Sequence, residues 1–164
     1  MFSSGLFNLN TIIGFNVFRY NVKYIDKYYN NLEVSQTLSN ISHAVYISGL
    51  SICYLRGWIS EQMWYSCSGF SCGYALYDLY LTYKINKYKD MLFHHSLMVL
   101  AYWYPIMCNY NIITPIDYFP RFLSQVYLCE ISTIPLSISF SLYKLNKTHT
   151  NLFKINSVMT LLTY

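Results

Sequence analysis

The chain has 164 residues, of which 54% are hydrophobic, 20% aromatic and only 11% charged, against about 25% charged in an ordinary soluble domain. Disorder is excluded, because it requires low hydrophobicity and high charge. A mean hydropathy of +0.24 with so few charges also argues against a soluble globule, whose surface would be left with large apolar patches.

The length argues against a multidomain enzyme. The net charge of +4 sits in short runs rather than along one stripe. That suits anionic headgroups and not a nucleic-acid groove. Five scattered cysteines form no CxxC pair and read as small apolar residues, with neither a disulfide framework nor a metal site.

A helix of about 20 mostly apolar residues crosses roughly 30 Å of hydrocarbon, and uncharged runs near that length recur along the chain. Gly5–Phe18 is interrupted by Asn8, Asn10 and Asn16 and lacks a signal peptide's basic start and cleavage site, so it reads as an anchor. Val34–Leu55 is uncharged and apolar from about Ile41. Gln62–Tyr83 contains one charge, Asp78. Met91–Ile116 contains none, and its Met91–Cys108 part is a strong span. Phe122–Tyr143 contains only Glu130. From Ile155 to Tyr164 runs a last apolar stretch of ten residues, too short to cross. It reads as interfacial or re-entrant, or as a final helix cut short.

The expected fold is therefore all-α: a polytopic transmembrane helical bundle of about five to six membrane-associated helices. Residues 1–33 form an anchor helix and a basic cytosolic loop, and residues 34–164 the main transmembrane domain. Loop charges support the division. Arg19, Lys23 and Lys27 follow the first span, Arg56 the second, Lys84, Lys87 and Lys89 the third, and Lys144, Lys147 and Lys154 the fifth; Asn109–Pro120 has no Lys or Arg. This alternation follows the positive-inside rule, with the N-terminus lumenal or outside.

Polar residues inside the spans carry the functional signal. An ionised acid at mid-bilayer costs about 2.5–3.5 kcal/mol on insertion scales, so Asp78 and Glu130 must face the interior, pair, or lie near an interface. They either hold helices together or line a polar site. His43 lies near the start of the second span, and His94 and His95 open the fourth. Adjacent helical residues point about 100° apart, so one histidine can face inward while the other meets a neighbouring helix or headgroups. Asp90 and His94, spaced i and i+4, share a face, as do Tyr74 and Asp78. Gly73 reads as a close helix contact. In the fifth span Pro135 removes a donor and frees the Ile131 carbonyl, so a kink there could be met by Ser132 and Thr133.

In order, the motifs are Ser42-His43-Ala44, then Gly73-Tyr74-Ala75-Leu76-Tyr77-Asp78-Leu79, then Asp90-Met91-Leu92-Phe93-His94-His95, and finally Cys129-Glu130-Ile131-Ser132-Thr133-Ile134-Pro135. From about Val34 onward this resembles the TLC-domain family, which includes translocation-associated membrane proteins, ceramide synthases and smaller TLC-domain-containing proteins. The resemblance implies a multi-pass bundle of the endoplasmic reticulum or another endomembrane that binds, senses or modifies lipids. Its partners would be membrane lipids, with a homo-oligomer allowed and no nucleic acid. It implies no cofactor and no metal.

Ceramide synthases use the paired-histidine region for acyl transfer, with acyl-coenzyme A as co-substrate. By that likeness His94 or His95 would be base or acyl carrier, oriented by Asp78, Asp90 or Glu130, while His43, Tyr74, Ser132 and Thr133 would line a polar cavity. The sequence departs from the ceramide synthase pattern at Phe122-Leu123-Ser124-Gln125-Val126, where an acidic cluster is absent. The sequence thus favours a lipid-binding or lipid-sensing membrane protein, with an acyltransferase as the alternative.

Overall fold

The structure is a computed structural model that describes residues 4–85, 89–112, 114 and 116–163, with side chains at all of these except 89–91 and 163. Asp90, Lys87 and Lys89 therefore have side chains outside the described residues. Among the described residues the chain is all-α and without strands: α1 (Ser4–Tyr29), α2 (Leu32–Leu55), α3 (Glu61–Ile85), α4 (Lys89–Asn109), α5 (Phe119–Leu128), a 3-10 turn (Cys129–Ser132), α6 (Thr133–Lys144) and α7 (Asn151–Thr163). α5, the turn and α6 continue as one helix over Phe119–Lys144, which makes six helices in all.

Backbone chemistry sets the helix ends. Asn30, Gly57, Asn111 and Asn146 all have positive φ, the left-handed conformation that ends helices and that Gly and Asn adopt most readily. After α2, the Gly57 amide donates to Tyr54 O and the Trp58 amide to Cys53 O, both at 2.9 Å. The same pair of bonds ends α6, from Asn146 to Tyr143 and from Lys147 to Leu142. Asn30 stops α1, and its neighbour Asn31 caps α2 by accepting from the Val34 amide at 3.1 Å. With no breaker between Phe18 and Asn30, the basic segment Arg19–Lys27 is the last part of α1. The expected cytosolic loop there is a helix.

α1 is part of the bundle. It packs along α3, backbone against backbone. A Cβ added to Gly14 would lie 2.2 Å from Phe70 O, one on Gly69 2.4 Å from Phe7 O, and one on Gly73 2.2 Å from Thr11 O. Gly69 and Gly73, four residues apart, form the small-xxx-small spacing that lets two helices approach closely. α3 is the central element, packed on α1, α2 and α4, while α2 also meets α5 and α6.

The interior combines an apolar and aromatic core, with Phe7, Phe18, Ile47 and Trp64 among its members, with many polar side chains. The buried polar set includes Ser35, Ser39, Ser48, Ser51, Ser68, Ser71, Asp78, Thr82 and His95. Exposed positions carry large apolar groups, such as Leu9, Ile12 and Val17 on α1 and Phe93, Leu97 and Leu100 on α4. On α4 the buried residues are His95, Met98, Tyr102, Tyr104 and Pro105. Of the cysteines, only Cys72 is buried, and Cys129 is exposed. Phe119–Lys144 is the one helix among the described residues that is long and apolar enough to cross a membrane, with a mean hydropathy of 1.3 and 22% of its apolar window buried.

Candidate functional site

The buried stripe of α2 repeats every fourth residue as Ser35, Ser39, His43, Ile47 and Ser51, the spacing that keeps side chains on one face. It packs on α3, where Tyr74, Asp78 and Thr82 make a second buried stripe of the same spacing. α4 adds His95. Polar groups from three helices thus converge on the Asp78 carboxylate.

Asp78 is 2% exposed and His95 3% exposed. His95 Nδ1 lies 2.8 Å from Asp78 Oδ2. The two atoms are in close contact, although neither has a partner in hydrogen-bond geometry among the described residues. The other carboxylate oxygen, Oδ1, accepts from Gln36 Nε2 at 2.6 Å, and the same amide donates to Thr82 Oγ1 at 3.2 Å. A buried carboxylate is tolerated when it is both paired and hydrogen-bonded. Here the Gln36 amide supplies the hydrogen bond, and the His95 ring lies against the other oxygen.

A ring cluster closes around the pair. His43 stacks on Tyr74 with centroids 3.8 Å apart and planes 13° apart. Tyr74 meets His95 edge-on at 6.0 Å and Phe18 of α1 at 4.9 Å. His43 Nε2 is buried and has no hydrogen-bond partner among the described residues. Two surface grooves, of about 430 and 560 Å³, are lined by other residues. Rings from α1, α2, α3 and α4 surround His43 and Tyr74.

The remaining expected residues divide. His94 is exposed, with its ring 5.2 Å from that of His95, the inward–outward split that adjacent helical positions require. Glu130 lies in the 3-10 turn, half-buried. It accepts from Thr133 Oγ1 at 3.0 Å and lies within electrostatic range of Tyr74 and His94, with no ion pair to either histidine among the described residues. The Ser132 hydroxyl donates to Cys129 O at 2.7 Å, so it serves the turn itself and not the Ile131 carbonyl. Asp90, expected beside His94, has its side chain outside the described residues. Among the described residues, no three His, Cys, Asp or Glu side chains are placed to hold a metal ion.

Sequence reasoning missed Gln36. Its signal was available: Gln36 and His43 are seven apart, two turns along one face of α2, and Asp78 and Thr82 are one turn apart on α3. Chemically, a carboxylate beside Nδ1 leaves Nε2 as the other ring nitrogen, the one open to a different partner. In comparisons with known proteins the chain matches no family model, no curated protein and no solved structure.

Proposed function

We propose that the chain is a multi-pass membrane protein of TLC type that binds, senses or adjusts membrane lipids. In this reading it resides in the endoplasmic reticulum or another endomembrane, with its N-terminus lumenal. One observation supports it above the others: side chains that would normally face water, among them Asp78, His95 and the α2 serines, are buried, while leucine, isoleucine, valine and phenylalanine face out. Hydrocarbon favours such an apolar exterior and such sheltering of polar groups. On α2 and α3, serines and site residues that turn inward lower the mean hydropathy of the helix without facing outward.

Two measurements test the proposal. Alkaline extraction of membranes from cells expressing the chain should leave it in the pellet; release into the supernatant would overturn the membrane reading. Lipid profiling against an empty-vector control should show an altered lipid class, and an unchanged profile in every class counts against lipid handling.

The Asp78–His95 contact favours a second reading, acyl transfer from acyl-coenzyme A to a lipid amine. The imidazole would take the amine proton as the N–acyl bond forms and the thioester C–S bond breaks, then return it to the thiolate. Purified protein given acyl-coenzyme A and a long-chain amine should then form amide, and His95→Ala should abolish it. Unaltered turnover in His95→Ala would remove this mechanism.

A further inference from the structure

We propose that the groove between the C-terminal halves of α1 and α3 binds the phosphate-bearing headgroup of an anionic phospholipid. The groove has a volume of about 560 Å³, and its rim carries Arg19 and Lys23 of α1 and Lys84 of α3. The three are exposed and have no ion pair among the described residues. One carboxylate, Asp26, shares the rim, and its Oδ1 takes the Ser35 hydroxyl at 3.4 Å. With Arg19, Lys23 and Lys84 against the one carboxylate, the rim is cationic on balance.

Below the cations the lining turns apolar. Phe15 and Tyr77 meet edge-on at 5.4 Å, and Val22 and Leu81 are buried beside them. On α1 the lining residues Phe15, Arg19, Val22, Lys23 and Asp26 follow helical spacing and so form one stripe. From Phe15 to Asp26 the helix rises about 16 Å, which carries the stripe from an apolar floor to a charged mouth. A free anion would use only the mouth. A phospholipid uses both ends, and basic pockets between helices at the membrane surface are where such headgroups bind.

Exposed tyrosines mark the same level: Tyr20, Tyr24 and Tyr28 on α1 and Tyr80 and Tyr83 on α3. Tyrosine is enriched where hydrocarbon meets water. This inference rests on the membrane reading and adds to it a lipid class and a place, away from Asp78 and His95.

The test uses the full chain purified in neutral detergent, with lipid adducts counted by native mass spectrometry. Phosphatidylserine should bind at least about tenfold more tightly than phosphatidylcholine. The triple variant Arg19→Gln, Lys23→Gln, Lys84→Gln should lose that preference with an unaltered melting temperature. The control Lys27→Gln, Lys147→Gln, Lys154→Gln removes equal charge outside the groove and should keep it.

Retention of the preference in the triple variant would overturn the site, and so would equal loss in the control. Displacement of the lipid by millimolar inorganic phosphate would overturn the lipid assignment in favour of a free anion. Alkaline extraction of the membranes from which the chain is purified separates the two ideas: a chain that stays in the membrane yet shows no preference refutes the groove alone.

Discussion

Gly73→Ala is the sharpest probe of how α1 and α3 are joined. The new methyl carbon would sit 2.2 Å from Thr11 O, 2.4 Å from Phe15 N and 2.9 Å from Gly14 C. Ordinary non-bonded contacts lie near 3.5 Å, so the deficit is about 1 Å. All three neighbours are backbone atoms of α1, and no side-chain rotation can relieve it. The helices must separate, and overpacking of this kind costs about 1–3 kcal/mol.

Alanine opposes that loss with up to about 1 kcal/mol of helix propensity, but the overpacking should win. Gly49→Ala on α2 isolates the opposing effect, because nothing lies within 4 Å of its added Cβ. Thermal unfolding in mild detergent, followed by circular dichroism, reads both. With about 2–4 °C per kcal/mol for a chain of this size, Gly73→Ala should lower Tm by several degrees and Gly49→Ala should raise it slightly. Equal shifts of the same sign would refute the backbone contact.

Asp78→Ala should destabilise by about 1–3 kcal/mol, since it leaves the buried His95 imidazole without its neighbour; the double change Asp78→Leu, His95→Leu should recover much of that, and the same melting assay measures both. Gln36→Ala removes a hydrogen bond to a charged group and should cost about 1.5–3 kcal/mol, with no comparable loss for Gln125→Ala on the exposed side of α5. Lys144 lies 2.7 Å from a Glu33 carboxylate oxygen and 5.3 Å from the Phe140 ring centroid, with its side chain 29% exposed. Lys144→Ala should cost no more than about 1 kcal/mol, with the loss shrinking as salt is added. Loss of several kcal/mol would mean that this contact is shielded from solvent.

The sequence made helices legible wherever an uncharged run was bounded by charge or by Asn and Gly. The ends of α1 were less so. Charged Arg19 and Lys23 look like a loop by composition, yet lysine and arginine are good helix formers and nothing before Asn30 stops the helix. The split between His94 and His95 was readable because 100° per residue forces it. Their partners were not. Asp90 is near His94 in sequence, whereas Asp78, which meets His95, lies on a different helix, and its approach depends on how α3 and α4 dock. Gln36 escaped because an uncharged amide leaves no mark on a charge count. Gly73 announced a close contact by itself, but its partners Gly14 and Gly69 emerge only from their spacing and from the facing α1 backbone.

The support of α4 is uneven. Its C-terminal half is held by the aromatic contacts of Tyr102 with Tyr127 at 5.2 Å and Tyr104 with Phe119 at 4.0 Å. Near the other end, Asp78 and Tyr74 of α3 receive His95. Pro105, inside the helix, omits one rung of its ladder close to the fixed half. The proline thus divides α4 into a segment anchored by aromatic rings and one whose buried attachments to the bundle, among the described residues, are His95 and Met98.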